Sequence, residues 1–209
     1  MTRTTLNVLC MCVLLGAVAS AQQTTKLPVS PESKLWVEGT STLHDWTCRT
    51  QSLDATIEFD ADAAEQLSTA PPTALRRVQV KVPVKSLKCG HGAMDNNLYK
   101  ALSADAAPEI SYIMATFEPV PGESDASFGL KTVGTLKIVG TERRIAMDVI
   151  ATRLPDGSVK AAGTVPIKMT DFGIKPPTAM FGRIKTGNDV KVKFELTVSA
   201  EAMAAASKE

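Results

Sequence analysis

The stretch Ser86–Tyr112, SLKCGHGAMDNNLYKALSADAAPEISY, decides how the rest of the chain is read. Just before it, Val78, Val80, Val82 and Val84 alternate with Arg77, Gln79, Lys81 and Pro83, the two-residue period of a strand with one dry and one wet face. Inside it, Cys89, His91, Asp95 and two glycines crowd together, and Leu98, Ala101 and Leu102 then fall at helical spacing. A further strand pattern begins at Ile110. A short helix with one apolar side, set between two strands, predicts a lid across the end of a sheet.

Outward from the lid, the same alternation recurs in both directions. On the N-terminal side, Leu35, Val37 and Gly39 start a first strand that runs into the hydroxyl-rich segment Thr40–Cys48. Thr50–Asp60 reads as a second strand, with Leu53, Ala55, Ile57 and Phe59 on one face. Ala61–Leu75 is expected to hold a short helix ended by Pro71-Pro72. On the C-terminal side, strands are expected over Ile110–Val120, Ser127–Val139, Arg143–Arg153, Val159–Met169 and Val190–Val198. Pro155-Asp156-Gly157 marks a tight turn, and Asp171–Asn188 a second long loop. The prediction is an all-β fold of eight antiparallel strands, with the lid helix after the third. Eight strands of roughly ten residues, about 33 Å each, can close into a barrel that holds one small ligand, and closure removes exposed edges.

The flanks read differently. Met1–Ala21 combines Arg3, an apolar run from Leu9 to Ala19 and a small-x-small site at Ala19-Ser20-Ala21, the pattern of a cleaved export signal. Gln22–Ser33, with Pro28 and Pro31, reads as a linker, residues 34–199 as the barrel, and the Ala-rich Ala200–Glu209 as a flexible tail. No other stretch approaches the roughly 20 apolar residues of a membrane span. Removing residues 1–21 takes away Arg3 and no acid, which leaves 22 bases against 22 acids. This neutral, interleaved charge argues against a nucleic-acid partner. Periplasmic or secreted placement would expose Cys48 and Cys89 to oxidising conditions, where pairing is the default.

Two readings of the cysteines follow. As a disulfide, Cys48 and Cys89 pin the lid to the wall. As ligands, His44, Cys48, Cys89 and His91 form a set that tetrahedral zinc, or a haem-type redox accessory protein, could use. Ser41 and His44 lie close in sequence, but without a nucleophile elbow the hydroxyls are expected to bond the turn backbone. Asp60 and Asp62 flank a turn and read as solvated. Gly90 and Gly92 lack the Lys-Ser/Thr that completes a phosphate loop. Met94, Met114, Met147, Met169, Met180, Phe172 and Phe181 suit either an adaptable ligand channel or ordinary core packing. Lys88, Lys100, Arg183 and Lys185 could meet a polar head at a barrel mouth or simply be solvated.

Four short patterns occur in order: Ser86-Leu87 with Gly90 and Asp95-x-x-Leu98; Pro108-x-Ile110-x-Tyr112; Gly134-Thr135-Leu136-x-Ile138-x-Gly140; and Asp171-Phe172-Gly173-Ile174. Together they resemble the YceI-like proteins, an exported, lipocalin-like, polyisoprenoid-binding family, over about Lys34–Ser199. The resemblance departs at Cys89, where the family commonly has Thr, and in the turn Leu102–Asp105. It implies a lipocalin-like barrel holding a long isoprenoid, quinone or fatty-acid-type molecule, with no cofactor other than such a bound lipid and no covalent catalysis. The lumen is then expected to be lined by Val80, Val82, Ile110, Tyr112, Leu136, Met147, Phe172 and Phe194, with Leu98 and Leu102 of the lid gating entry.

Overall fold

Each stretch of two-residue alternation becomes a strand of one continuous antiparallel sheet. The computed structural model describes residues 24–60 and 75–206. In chain order these contain β1 (Thr24–Pro28), β2 (Lys34–Ser41), β3 (Trp46–Thr50), β4 (Asp54–Asp60), β5 (Leu75–Pro83), α1 (Gly92–Ala101), β6 (Glu109–Pro121), β7 (Ser127–Ile138), β8 (Thr141–Arg153), β9 (Val159–Lys168), β10 (Thr178–Ala179), β11 (Ile184–Val198) and α2 (Ala200–Ala206). The export-signal segment and the helix expected over Ala61–Leu75 fall outside the described residues, apart from Leu75 itself, which begins β5.

The strands run β1-β4-β5-β6-β7-β8-β9-β11-β2-β3, with β10 paired to β11 beside this path. From β5 to β9 the sheet is a meander whose turns follow from local chemistry. Ile138 and Thr141 pair directly across Val139 and Gly140, which both have positive φ, at 49° and 76°. A two-residue turn of this hand matches the twist of the strands it joins. Between β8 and β9, Gly157 takes φ 82°, and the Asp156 carboxylate accepts from the Ser158 amide and hydroxyl at 2.9 and 2.6 Å. These bonds hold the Asp156 pKa below its usual range.

All eight expected strands are present, but three more join them and the sheet is curled rather than fully closed. The stretch read as a linker contains β1, which pairs with β4 and buries Leu27. The first strand bends at Thr42–Asp45, so its second half returns as β3 beside β2. The second long loop supplies β10. The lid helix therefore follows the fifth strand of the chain, not the third. The first seven residues of the tail form α2, which packs on β1 and buries Met203.

β1 and β3 end the ladder and do not pair with each other. Instead, each end of the curl is bridged separately. Near α2, the Ser30 amide donates to the Thr197 carbonyl at 2.6 Å, and the Thr197 amide donates to Ser33 Oγ at 3.0 Å, so the chain after β1 reaches β11. Near α1, Arg49 of β3 exchanges backbone hydrogen bonds of 2.8 and 2.9 Å with Lys88. Two apolar clusters fill these ends. One gathers Leu27, Phe59, Phe128, Val198 and Met203 under α2; the other gathers Val84, Leu87, Leu102, Phe172 and Ile174 under α1.

Candidate functional site

Between the two clusters the concave face of the sheet encloses a cavity of about 450 Å³. Its walls are the inward residues of the alternation: Val78, Val80 and Val82 of β5, for example, and Val190, Val192, Phe194, Leu196 and Val198 of β11. All ten side chains expected in the lumen line it: Val80, Val82, Leu98, Leu102, Ile110, Tyr112, Leu136, Met147, Phe172 and Phe194. The volume is within the range of small-molecule pockets, and apolar surface of this kind is stabilised by covering it with hydrocarbon rather than water.

The space stays open because three aromatic side chains lie against glycines instead of crossing it. The Trp46 indole covers Gly39, the Tyr112 ring covers Gly134, and the Phe194 ring covers Gly163. At each glycine, an added Cβ would collide with the ring. Gly39 and Gly163 stand opposite Trp46 and Phe194 in the strand register, while Tyr112 reaches diagonally along β7. A flattened ring lends its area to the wall while leaving the axis free.

Deep in the lumen the polar groups are few. Thr132 Oγ1 is spoken for, donating to the Met147 carbonyl at 3.1 Å. The Tyr112 hydroxyl is buried and completes no hydrogen bond among the described residues, the nearby Thr132 hydroxyl being turned to Met147. Burial is the main influence on its pKa and raises it.

The cavity reaches the surface beside α1. Its exposed lining residues are Leu43 and His44 of the β2–β3 loop, Asn97 of α1 and Thr178 of β10. The loop is shaped by Ser41, whose hydroxyl donates to the His44 carbonyl at 2.7 Å and accepts from the Leu43 and His44 amides at 3.2 Å. That hydroxyl is committed to the turn. The Thr42 amide then donates to the Lys185 carbonyl at 2.9 Å, and the Lys185 amide returns a bond to Thr42 Oγ1 at 3.1 Å, joining the loop to the β10–β11 hairpin.

Across the opening, α1 is fastened from behind. His91 is extended at the N-cap, and Asp95 in the first turn accepts from the Cys89 amide at 2.7 Å, where a carboxylate also suits the helix dipole. Further along, the Tyr99 hydroxyl lies 2.9 Å from the Lys85 and Leu87 carbonyls and accepts from Lys88 Nζ at 2.7 Å. The Tyr99 hydroxyl, its largest influence, raises the Lys88 pKa. Lys85 bonds Asp105 at 2.7 Å and lowers that carboxylate's pKa. The front of the helix, Met94, Leu98 and Ala101, faces the lumen.

Cys48 and Cys89 are joined by a disulfide, with Cα atoms 4.0 Å apart, directly beside the Arg49–Lys88 bridge. This overturns the metal or haem reading of His44, Cys48, Cys89 and His91. The disulfide consumes both thiolates, and no cluster of three or more metal-binding side chains exists among the described residues. His44 instead sets Nδ1 2.7 Å from the Asp45 carbonyl in the loop, and His91 sits at the N-cap position of α1 without a capping bond from its side chain.

Of the flexible side chains singled out earlier, Met94, Met114, Met147, Met169 and Phe172 line the cavity. Met180 and Phe181 do not; they project into solvent from the turn between β10 and β11. Lys88 is tied to the lid, whereas Lys100, Arg183 and Lys185 are exposed. Sequence reasoning missed the rim residues Leu43, Asn97 and Thr178, and the glycines beneath the rings. The spacing of Gly39, Gly134 and Gly163 within strand patterns was the available signal.

A curled antiparallel sheet around one apolar cavity, with a helix across its mouth, defines a lipocalin-like protein. The YceI-like domain matches residues 29–198, and the chain belongs to that family. Among solved structures, BcnA from Burkholderia cenocepacia has a TM-score of 0.63 at 17% identity, covering 82% of this chain and 99% of that one. A polyisoprenoid-binding domain from Saccharophagus degradans, implicated in plant cell wall breakdown, gives 0.56 at 13% identity, covering 85% and 98%. A Campylobacter jejuni YceI protein gives 0.52 at 17%, covering 95% and 98%. These likenesses show the fold. No curated protein matches the chain.

Proposed function

We propose that this is an exported protein that holds one long apolar molecule, of isoprenoid, quinone or fatty-acid type, in its lumen and carries out no covalent chemistry on it. The observation that carries this reading is the cavity of about 450 Å³, walled by apolar side chains from nearly every strand and open beside α1. At roughly 25 cal/mol per Å² of apolar surface, a buried hydrocarbon tail supplies most of the affinity, more than any single polar contact. The polyisoprenoid-binding relative supports the ligand class, and the disulfide supports an oxidising compartment such as the periplasm. No helix among the described residues is long and apolar enough to cross a membrane.

Native mass spectrometry of protein purified from an oxidising compartment, without added lipid, tests this. The expected spectrum shows an intact disulfide and an organic-extractable adduct. Ala161→Phe, which fills the lumen from β9, should lose both the adduct and uptake of the apolar fluorophore 1-N-phenylnaphthylamine. A bare protein that also fails to take up the fluorophore would overturn the reading.

A further inference from the structure

The β10–β11 hairpin presents an apolar tip to solvent at the mouth of an apolar cavity. Phe181 is 110% exposed and Met180 65%, and Leu43 on the bonded β2–β3 loop is 66% exposed. Three of the five large exposed hydrophobic side chains among the described residues thus crowd one rim. The backbone holds them there: Met180 and Phe181 have φ of 50° and 55°, before Gly182 at 83°. Consecutive left-handed residues with side chains are costly, and turn bonds from the Gly182 amide to Ala179 and the Arg183 amide to Met180 fix the conformation. The chain keeps this turn with its bulky residues pointing away from the core.

The hairpin itself is basic. Between Asp171 and Asp189 the chain carries Lys175, Arg183 and Lys185 and no acid. All three bases are exposed, and none forms an ion pair among the described residues. On the facing loop, Asp45 and His44 are the titratable groups. Three side chains on two loops are too few for a stable protein interface, which covers about 800 Å² per partner. They suit insertion into the headgroup boundary of a bilayer, where apolar tips bury and neighbouring bases meet anionic lipid.

We propose that this rim is a membrane-docking surface, with Phe181, Met180 and Leu43 entering an anionic bilayer and Arg183 and Lys185 meeting its phosphates. The mouth would then open onto the lipid phase, so a molecule passing between bilayer and lumen avoids water. The transfer step rests on the lumen reading above; docking itself does not require an occupied lumen.

Flotation of the purified protein with phosphatidylethanolamine/phosphatidylglycerol vesicles, against phosphatidylcholine vesicles, tests the surface. Binding is expected to the anionic vesicles and to weaken as salt is raised. The double variant Met180→Ser/Phe181→Ser should bind roughly tenfold or more weakly. Arg183→Gln/Lys185→Gln should lose on the order of tenfold and its preference for phosphatidylglycerol. The substituted side chains contact solvent, so thermal midpoints should not move. Uptake of 1-N-phenylnaphthylamine in vesicle-free buffer, measured on the same variants, reports the lumen independently. Absence of flotation with either vesicle, or unchanged flotation of the Ser variant, would overturn the proposal. So would sedimentation showing that the Ser variant instead dissolves a dimer of this chain.

Discussion

Tyr112 rests its ring on Gly134, and the absence of a side chain there is what keeps that ring against the wall. A Cβ on Gly134 would sit 2.5 Å from the ring carbons and from the Ile113 carbonyl, so ring or backbone must move. Gly134→Ala is expected to push the ring into the lumen and destabilise the protein by about 1–3 kcal/mol. Urea unfolding checks the stability, and fluorophore uptake checks the narrowing. Gly163→Ala should act in the same way through Phe194.

Removing the Tyr112 hydroxyl should have the opposite sign. A buried polar group without a partner costs about 1–3 kcal/mol. Tyr112→Phe is therefore expected to leave the ligand-free protein as stable or more stable, by up to about 1 kcal/mol. Chemical denaturation after organic extraction measures this, and a clear loss of stability would show that the hydroxyl has a partner.

The Cys48–Cys89 disulfide closes a 41-residue separation in sequence. In the chain-entropy model this stabilises by roughly 4 kcal/mol. Cys48→Ala/Cys89→Ala should unfold at lower urea and, in the folded state, exchange amide hydrogens faster in α1 and β3. Equal protection in both proteins would show that Tyr99 and Asp95 hold the lid without the disulfide.

Acid should weaken the fold through three carboxylates, the half-buried Glu38 and the exposed Asp105 and Asp156. Hydrogen bonds lower the pKa of Glu38 through Lys193, of Asp105 through Lys85 and of Asp156 through Ser158. A lowered folded-state pKa gives stability that is full above the unfolded value and lost as pH falls through the folded one. Thermal midpoints are thus expected to hold to about pH 5 and drop below about pH 4, with a shallower drop in Asp105→Asn. At the alkaline end the sign reverses. Lys88 and Lys168 have raised pKa values, through Tyr99 and Asp189, and their contributions fade as pH rises through them.

The sheet and the lumen were legible because alternation assigns each side chain to a face, and one buried face leaves little freedom in register. β1 was not legible. Thr24–Pro28 carries one buried apolar side chain, Leu27, and its strand conformation comes from pairing with β4, with Ser30 and Ser33 just after it tied to Thr197 of β11. The bend after β2 depends on the Ser41 hydroxyl taking the His44 backbone, in a run of hydroxyls where any one could have done so. The bulge between Met114 and Thr116 also has no counterpart in the pattern. Met180 and Phe181 suited either a channel or the core because they are apolar. Their positive φ turns them outward, a backbone property that hydropathy does not carry.

Glu38 on β2 and Lys193 on β11 are bonded across 155 residues of chain, and the neighbouring strand pair depends on the same return. During synthesis β2 therefore has no main partner on that side until the final strand exists. Pairings of such long sequence separation are slow to form, because loop closure precedes any stabilising contact. The nascent chain keeps that edge of β2 unpaired until its C-terminal segment emerges.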